Sequence, residues 1–263
     1  AAAATSGVPV LAAADGVVKA RRDGVTDIFM RNAKPGDIKG RECGNGVLID
    51  HGDGWETQYC HMKQGSVAVA KDQTVKRGER LGEVGYSGKA DFAHLHLTVR
   101  HNGKIIDPFL PDAIDGACQR DGKSAGLWKP EIVAKFRYKA GEIIGAGFAG
   151  EPPDHSVLET DHLRVTPVSP TSLALLFYGR FLHVSAGDRF RVIITGPGGD
   201  ILEEMTQPLP RHQAHHVAFA GKKRDERPWP AGRYEGRIEL VREGAVIAAS
   251  LGQAVIAQPP SAP

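Results

Sequence analysis

The sequence has no apolar run approaching the roughly 20 residues that a membrane-spanning helix needs. Its alanine-rich start also lacks the basic stretch followed by an apolar one that marks a secretory signal, so it reads as a mature chain or one truncated at its start. Excess charge is missing too. With 33 basic and 31 acidic residues the formal net charge is +2, which excludes the electrostatic footprint of a dedicated nucleic-acid binder. Cysteine is scarce: Cys43, Cys60 and Cys118 are the only three, and none has the Cys-x-x-Cys spacing of a structural zinc cluster. An odd count fits either one disulfide plus a leftover thiol in an oxidising compartment, or three unpaired thiols in a cytosolic protein. Helical periodicity does not persist for more than about two turns anywhere. There is no His-Glu-x-x-His helix, no nucleophile elbow and no phosphate-cradling glycine loop.

What is present is β-type alternation in a chain of 263 residues, 41% of them hydrophobic, enough for one large domain or two of ordinary size. In the first part VPVLAAADGVVKA, GNGVLIDH, WETQYCHM, GSVAVA, RGERLGEVGYSG and HLHLTVR read as short strands separated by glycine turns. GNGVLIDHGDGWETQYCHM predicts a hairpin about Gly52 and Asp53. Folding it there brings Cys43 and Cys60 to nearly facing positions, which favours them as the pair if any cysteines are joined. A basic, turn-rich insertion between Val18 and Gly44 receives no assignment from its pattern.

After Asp107-Pro108-Phe109 the composition shifts, and residues 119–160 read as a connecting segment with Trp128 as an anchor. A second β pattern covers residues 161–257, with SLALLFYG, RFRVIITGPGG, HHVAFAG, GRYEGRIELVR and AVIAASLGQAVIA as strands, spaced as in a β-sandwich of immunoglobulin-like size. The tail, residues 258–263, reads as disordered.

Histidines carry the chemistry. In AHLHLTV, His94 and His96 lie two apart on a predicted strand and so project from one face, the geometry in which one strand offers two imidazole nitrogens to a metal; two solvent-facing histidines would give the same pattern. His61 closes the strand of TQYCHM, with Tyr59 on its face and Gln58 and Cys60 on the other. His212, His215 and His216 in RHQAHH read instead as a solvated loop or strand edge, and Lys222, Lys223 and Arg224 as a charged hairpin turn.

Taken in order, GVPVLAAADGVV, GNGVLIDHGDGWETQYCHM, VKRGERLGEVGYSG and AHLHLTVRHNGKIIDPF resemble the lysostaphin and LytM type of zinc metallopeptidase over residues from about 7 to 110. The resemblance implies a mainly β fold with an antiparallel peptidase sheet in residues 1–118, ahead of the sandwich. It implies hydrolysis of peptide bonds in bacterial cell-wall peptidoglycan, zinc as cofactor, and a periplasmic or secreted location. It matches His96 to a zinc ligand and His94 and His61 to catalytic histidines, roles that suit a side chain with an ordinary pKa near 6.5 beside a metal-activated water. Tyr59 and Tyr86 become candidate cleft-lining residues. The only partner implied is the peptidoglycan peptide, with no nucleic acid and no membrane span.

The sequence departs from this family at one place. The family's other two ligands, arranged His-x-x-x-Asp, precede the segment matched by GVPVLAAADGVV, where this sequence has AAAATS, and no histidine of the chain is followed four residues later by aspartate. One histidine is too few to hold zinc tightly. The expectation is a chain that begins inside the domain, the four alanines standing in for other residues and Cys118 finding its partner in the absent piece; the alternative is a zinc-free, degenerate binding or regulatory module that acts on other wall hydrolases. VKRGERLGEVG also resembles the turning strands of biotinyl and lipoyl carrier domains, but no exposed lysine tip accompanies it.

Overall fold

Short alternating segments broken by Asp-Gly and Asn-Gly favour antiparallel pairing, and the computed structural model of the chain is built from antiparallel pairs, local and distant. The structure describes residues 7–34, 36–110, 126–133, 141–154, 158 and 167–257, which fall into two compact units, 1–137 and 138–263. Among the described residues it is mainly β.

In the first unit the strands are β1 (Pro9–Leu11), β2 (Gly16–Arg22), β3 (Asn45–Gly52), β4 (Trp55–Met62), β5 (Thr74–Val75), β6 (Arg80–Glu83), β7 (His96–His101) and β8 (Lys104–Ile106). Six of them form an antiparallel sheet in the order β5-β2-β3-β4-β7-β8, and β1 pairs with β6. Asp53 and Gly54, both at positive φ (49° and 76°), sit at the tip of the β3–β4 hairpin, whose last pair is Gly52 with Trp55; the turn lies one residue beyond the expected centre. A type I′ geometry needs positive φ at both positions, which Asp-Gly supplies.

Period-two alternation sends Val47, Ile49 and Tyr59 to one face, where they pack with Val18, Leu81 and Val84 in the unit's core. Fully burying an aliphatic side chain of this size stabilises by about 1.5–3 kcal/mol. On the other face, Cys60 is the cross-strand partner of His96 and Gln58 of Thr98.

The unassigned insertion is tied down by its acids. Asp23 accepts N–H bonds from Gly65 and Val67, and Asp27 from Gln64 and Tyr86. Phe29, buried, stacks on Tyr86 with ring centroids 4.3 Å apart. Trp128 packs against Phe109 just ahead of the one-turn helix α1 (Pro130–Val133).

The second unit contains β9 (Glu142–Ala149), β10 (Ala174–Val184), β11 (Arg189–Gly196), β12 (Gly199–Met205), β13 (Gln213–Lys223), β14 (Gly232–Arg242) and β15 (Ala245–Ile256). They form two antiparallel sheets, β13-β10-β9 and β12-β11-β14-β15, sharing a core of Leu175, Phe177, Phe181, Phe190, Ile194, Tyr234 and Ile238. β9 lies inside the stretch read as a connecting segment, yet it is a full strand of the first of these sheets, paired with β10 from Ala149–Leu176 to Glu142–Leu182. Tyr234, near the start of β14 and fully buried, donates its hydroxyl hydrogen to the carbonyl of Pro230 at 2.7 Å. Cys118 and the tail 258–263 lie outside the described residues.

Candidate functional site

Pairing of β4 with β7 is what brings the distant histidines together. Strict alternation would send His61 to the core face with Tyr59. His61 instead adopts φ 61°, which breaks the alternation, and its ring lies 4.7 Å from that of His94 and 5.7 Å from that of His96. A left-handed backbone at a non-glycine residue costs of order 1–3 kcal/mol and persists only where surrounding contacts over-determine it. Those contacts are present. The His61 N–H donates to the Cys43 carbonyl at 2.8 Å, the His61 carbonyl accepts from the Gly85 N–H at 3.0 Å, and Nδ1 is 2.8 Å from the Ser87 carbonyl oxygen.

His94 does not share a strand with His96, contrary to the expected alternation. β7 begins at His96; His94 precedes it, with Nδ1 2.8 Å from the Phe92 carbonyl and its ring 4.6 Å from that of Phe92. A carbonyl oxygen only accepts, so Nδ1 carries the hydrogen in both His61 and His94. Their Nε2 atoms are therefore the nitrogens left for chemistry. His61 is 5% exposed, and burial foremost holds its pKa down to about 4; the bond to Ser87 opposes this, and the neighbouring His94 and His96 push it lower still. It is neutral at neutral pH. His96, at the start of β7, is exposed.

The two tyrosines occupy different surroundings. Tyr59 is 1% exposed in the core, its hydroxyl held by the Ala13 N–H at 2.8 Å and by Thr57 at 3.0 Å. It reaches an apolar cleft of about 910 Å³ walled by Leu97, Phe109 and Trp128, which none of the three histidines lines. Tyr86 is half-buried against Phe29, next to Ser87 in the chain. Burial raises its hydroxyl pKa, with Asp27 adding to the effect.

Cys43 and Cys60 are joined by a disulfide, with Cα atoms 4.8 Å apart. Two residues that sequence reasoning did not single out, Asn45 and Phe92, belong to the site, and Ser87, which follows Tyr86 in the chain, is central to it. For Asn45 and Ser87 the textual signals are the Gly-Asn-Gly and Ser-Gly turns, which name a conformation and not a partner.

For a metal the described residues make an incomplete set. Among them no group of three or more His, Cys, Asp or Glu side chains is arranged to hold an ion. His96 is an exposed imidazole at the start of β7.

The family model of Peptidase family M23 matches residues 1–108. The cell division protein DipM of Caulobacter vibrioides is 36% identical over 113 residues, which is 41% of this chain and 16% of that protein. The DD-carboxypeptidase/endopeptidase Mpg of Neisseria meningitidis serogroup B is 36% identical over 108 residues, 40% of this chain and 20% of that one. The peptidoglycan DD-endopeptidase ShyA of Vibrio cholerae is 32% identical over 101 residues, 38% of this chain and 19% of that one. The chain thus spans a fifth or less of the length of these relatives. Its first 108 residues are similar to Peptidase family M23, as the ordered motifs of the sequence implied.

Proposed function

We propose that the M23 domain is a zinc metalloendopeptidase that hydrolyses peptide bonds in bacterial cell-wall peptidoglycan, working in the periplasm or outside the cell. The supporting observation is the pair of imidazoles, His61 and His94, each anchored through Nδ1 to a backbone carbonyl and set within 5 Å of one another beside exposed His96. An anchored, neutral imidazole offers Nε2 as a proton acceptor; once protonated, the same nitrogen donates to a leaving amine or a developing oxyanion. In this reading His94, the more accessible of the two, carries the proton, and His61, kept neutral by burial, orients the attacking water. The relatives named as endopeptidases and the Cys43–Cys60 disulfide, which suits an oxidising compartment, both favour it.

Zinc enters through the family resemblance. When bound, it lowers the pKa of a water towards neutrality and polarises the scissile carbonyl. Of the described residues His96 alone is proposed as a ligand, and tight binding needs two further protein donors. The incomplete donor set favours a second reading, a zinc-free module that binds the wall and regulates other hydrolases. Elemental analysis of the purified chain, paired with digestion of isolated sacculi, separates them. The enzyme carries about one zinc per chain and loses hydrolysis to a chelator; the module carries none and binds sacculi without cutting them.

We further propose that the second unit is an immunoglobulin-like accessory sandwich. With its strands lettered A to G in chain order, its sheets read E-B-A and D-C-F-G. The Tyr234 hydroxyl bonded back to the backbone beside the start of the sixth strand is the tyrosine corner of such domains, which also favours this assignment.

A further inference from the structure

Catalysis by His61, as read above, requires a strained residue to be held in place. The grip on it comes from one compact assembly outside the reacting groups. The Cys43–Cys60 disulfide straddles His61: Cys60 precedes it in the chain, and the Cys43 carbonyl takes its N–H at 2.8 Å. From Cys43 the chain passes through Gly44, at φ 64°, which lies so close to Ser87 that a Cβ there would come within 2.4 Å of Ser87 atoms. Asn45 follows, fully buried, and its N–H donates to Ser87 Oγ at 2.9 Å. Ser87, also fully buried, donates that hydroxyl hydrogen to the Met62 carbonyl at 2.7 Å. The Asn45 side-chain amide donates to the same Met62 carbonyl at 3.1 Å and to the Val25 carbonyl at 2.7 Å. The ring closes on His61 Nδ1, which donates to the carbonyl of Ser87.

We infer that the Cys43–Cys60 disulfide, Asn45 and Ser87 are positioning residues for His61: together they hold its backbone at positive φ and aim the Ser87 carbonyl at Nδ1, so that one imidazole tautomer is presented to substrate. None of them need touch the substrate. The inference rests on the proposed catalytic role of His61, but the arrangement itself can be read without any activity. Strain of this kind is released when one of its restraints is removed. Left-handed backbone at residue 61 then gives way to ordinary strand geometry, which restores alternation and turns the ring away from His94.

The test uses the full chain and two variants, Cys43→Ser/Cys60→Ser and Ser87→Ala, the second leaving the disulfide intact. Two readouts are taken on folded protein: amide hydrogen exchange at His61 against Ile49, which lies in the core of the same sheet, and the ¹⁵N resonances of the His61 imidazole, which report its tautomer. We expect the His61 amide to exchange about tenfold faster in the double variant, while Ile49 is unchanged. Ser87→Ala shifts the imidazole from a single Nδ1–H form to a mixture. With active enzyme, kcat on wall peptides falls about tenfold in both while KM holds, as expected for a misplaced reacting group. A folded double variant that keeps the wild-type His61 exchange rate and tautomer overturns the inference. So does loss of protection at Ile49 equal to that at His61, because the bridge then stabilises the whole unit. If the exchange and tautomer change as expected but the wild-type chain cuts no wall peptide, the positioning role stands and the catalytic reading fails.

Discussion

Two groups of three histidines sit in this chain and meet opposite fates. His212, His215 and His216 are neighbours in sequence, yet His215 and His216 are consecutive on β13 and must point to opposite faces; His216 stacks on Phe190 at 4.9 Å with Nδ1 near Gln213. His61 lies more than 30 residues before the neighbouring His94 and His96, and the two segments converge because β4 pairs with β7 and the backbone of His61 is strained. Closeness in sequence on a strand disperses side chains, whereas antiparallel pairing of strand ends gathers them. A constellation able to do chemistry is recognised by topology and by anchored tautomers, more than by the spacing of its letters.

The sharpest way to break this comparison is by substitution in both groups. His61→Ala or His94→Ala is expected to lower release of soluble peptide from labelled sacculi by about 10²–10⁴-fold, the usual range for a lost general acid or base. His215→Ala and His216→Ala should leave release within about twofold, since they alter at most local packing. Equal losses in both groups would remove the distinction.

The second unit has a core of its own, and Phe177, fully buried between its two sheets, is the place to probe it. Phe177→Ala is expected to cost about 3–5 kcal/mol in denaturant unfolding of that unit. Peptide release by the first unit should be unaffected.

Acidity offers a subtler contrast. Because the folded pKa of His61 is about 4 against an ordinary 6.5, the unfolded chain binds the extra proton between these values, and stability falls as pH drops from 6.5 towards 4. Fully developed, the loss from this group is about 3 kcal/mol. His61→Gln should flatten the dependence in that window, and an unaltered pH profile of unfolding would contradict the burial of His61. The smallest effect is expected at Tyr234: Tyr234→Phe removes one hydrogen bond to Pro230 and should cost about 1 kcal/mol, read from the unfolding midpoint.

Much of the strand content was legible because apolar alternation and Asp-Gly or Asn-Gly turns report directly on half-buried antiparallel strands. β3, β4 and β14 follow this pattern, and β10 shows instead as a continuous apolar run, buried over its first eight residues. β12 escaped because it is an edge strand with mostly exposed, acidic residues, a composition that protects an edge from further pairing and hides its period. β9 escaped because glycine and alanine blur alternation in EIIGAGFA. At the site, His61, His94 and His96 could be named from ordered motifs. The turn of His61 out of alternation could not, because it depends on Cys43, Gly85 and Ser87, contacts that span up to 26 residues of chain and leave no local periodicity.

The account's central claim is that this chain adds water across peptide bonds of the bacterial wall through the anchored pair His61 and His94. Mass spectrometry of isolated peptidoglycan digested with the full chain tests it most directly. The account predicts soluble fragments bearing a new peptide amine and a new carboxylate, absent when His94→Ala replaces the wild-type chain. Intact sacculi, cleavage confined to the glycan strands, or an undiminished product pattern from His94→Ala would contradict it.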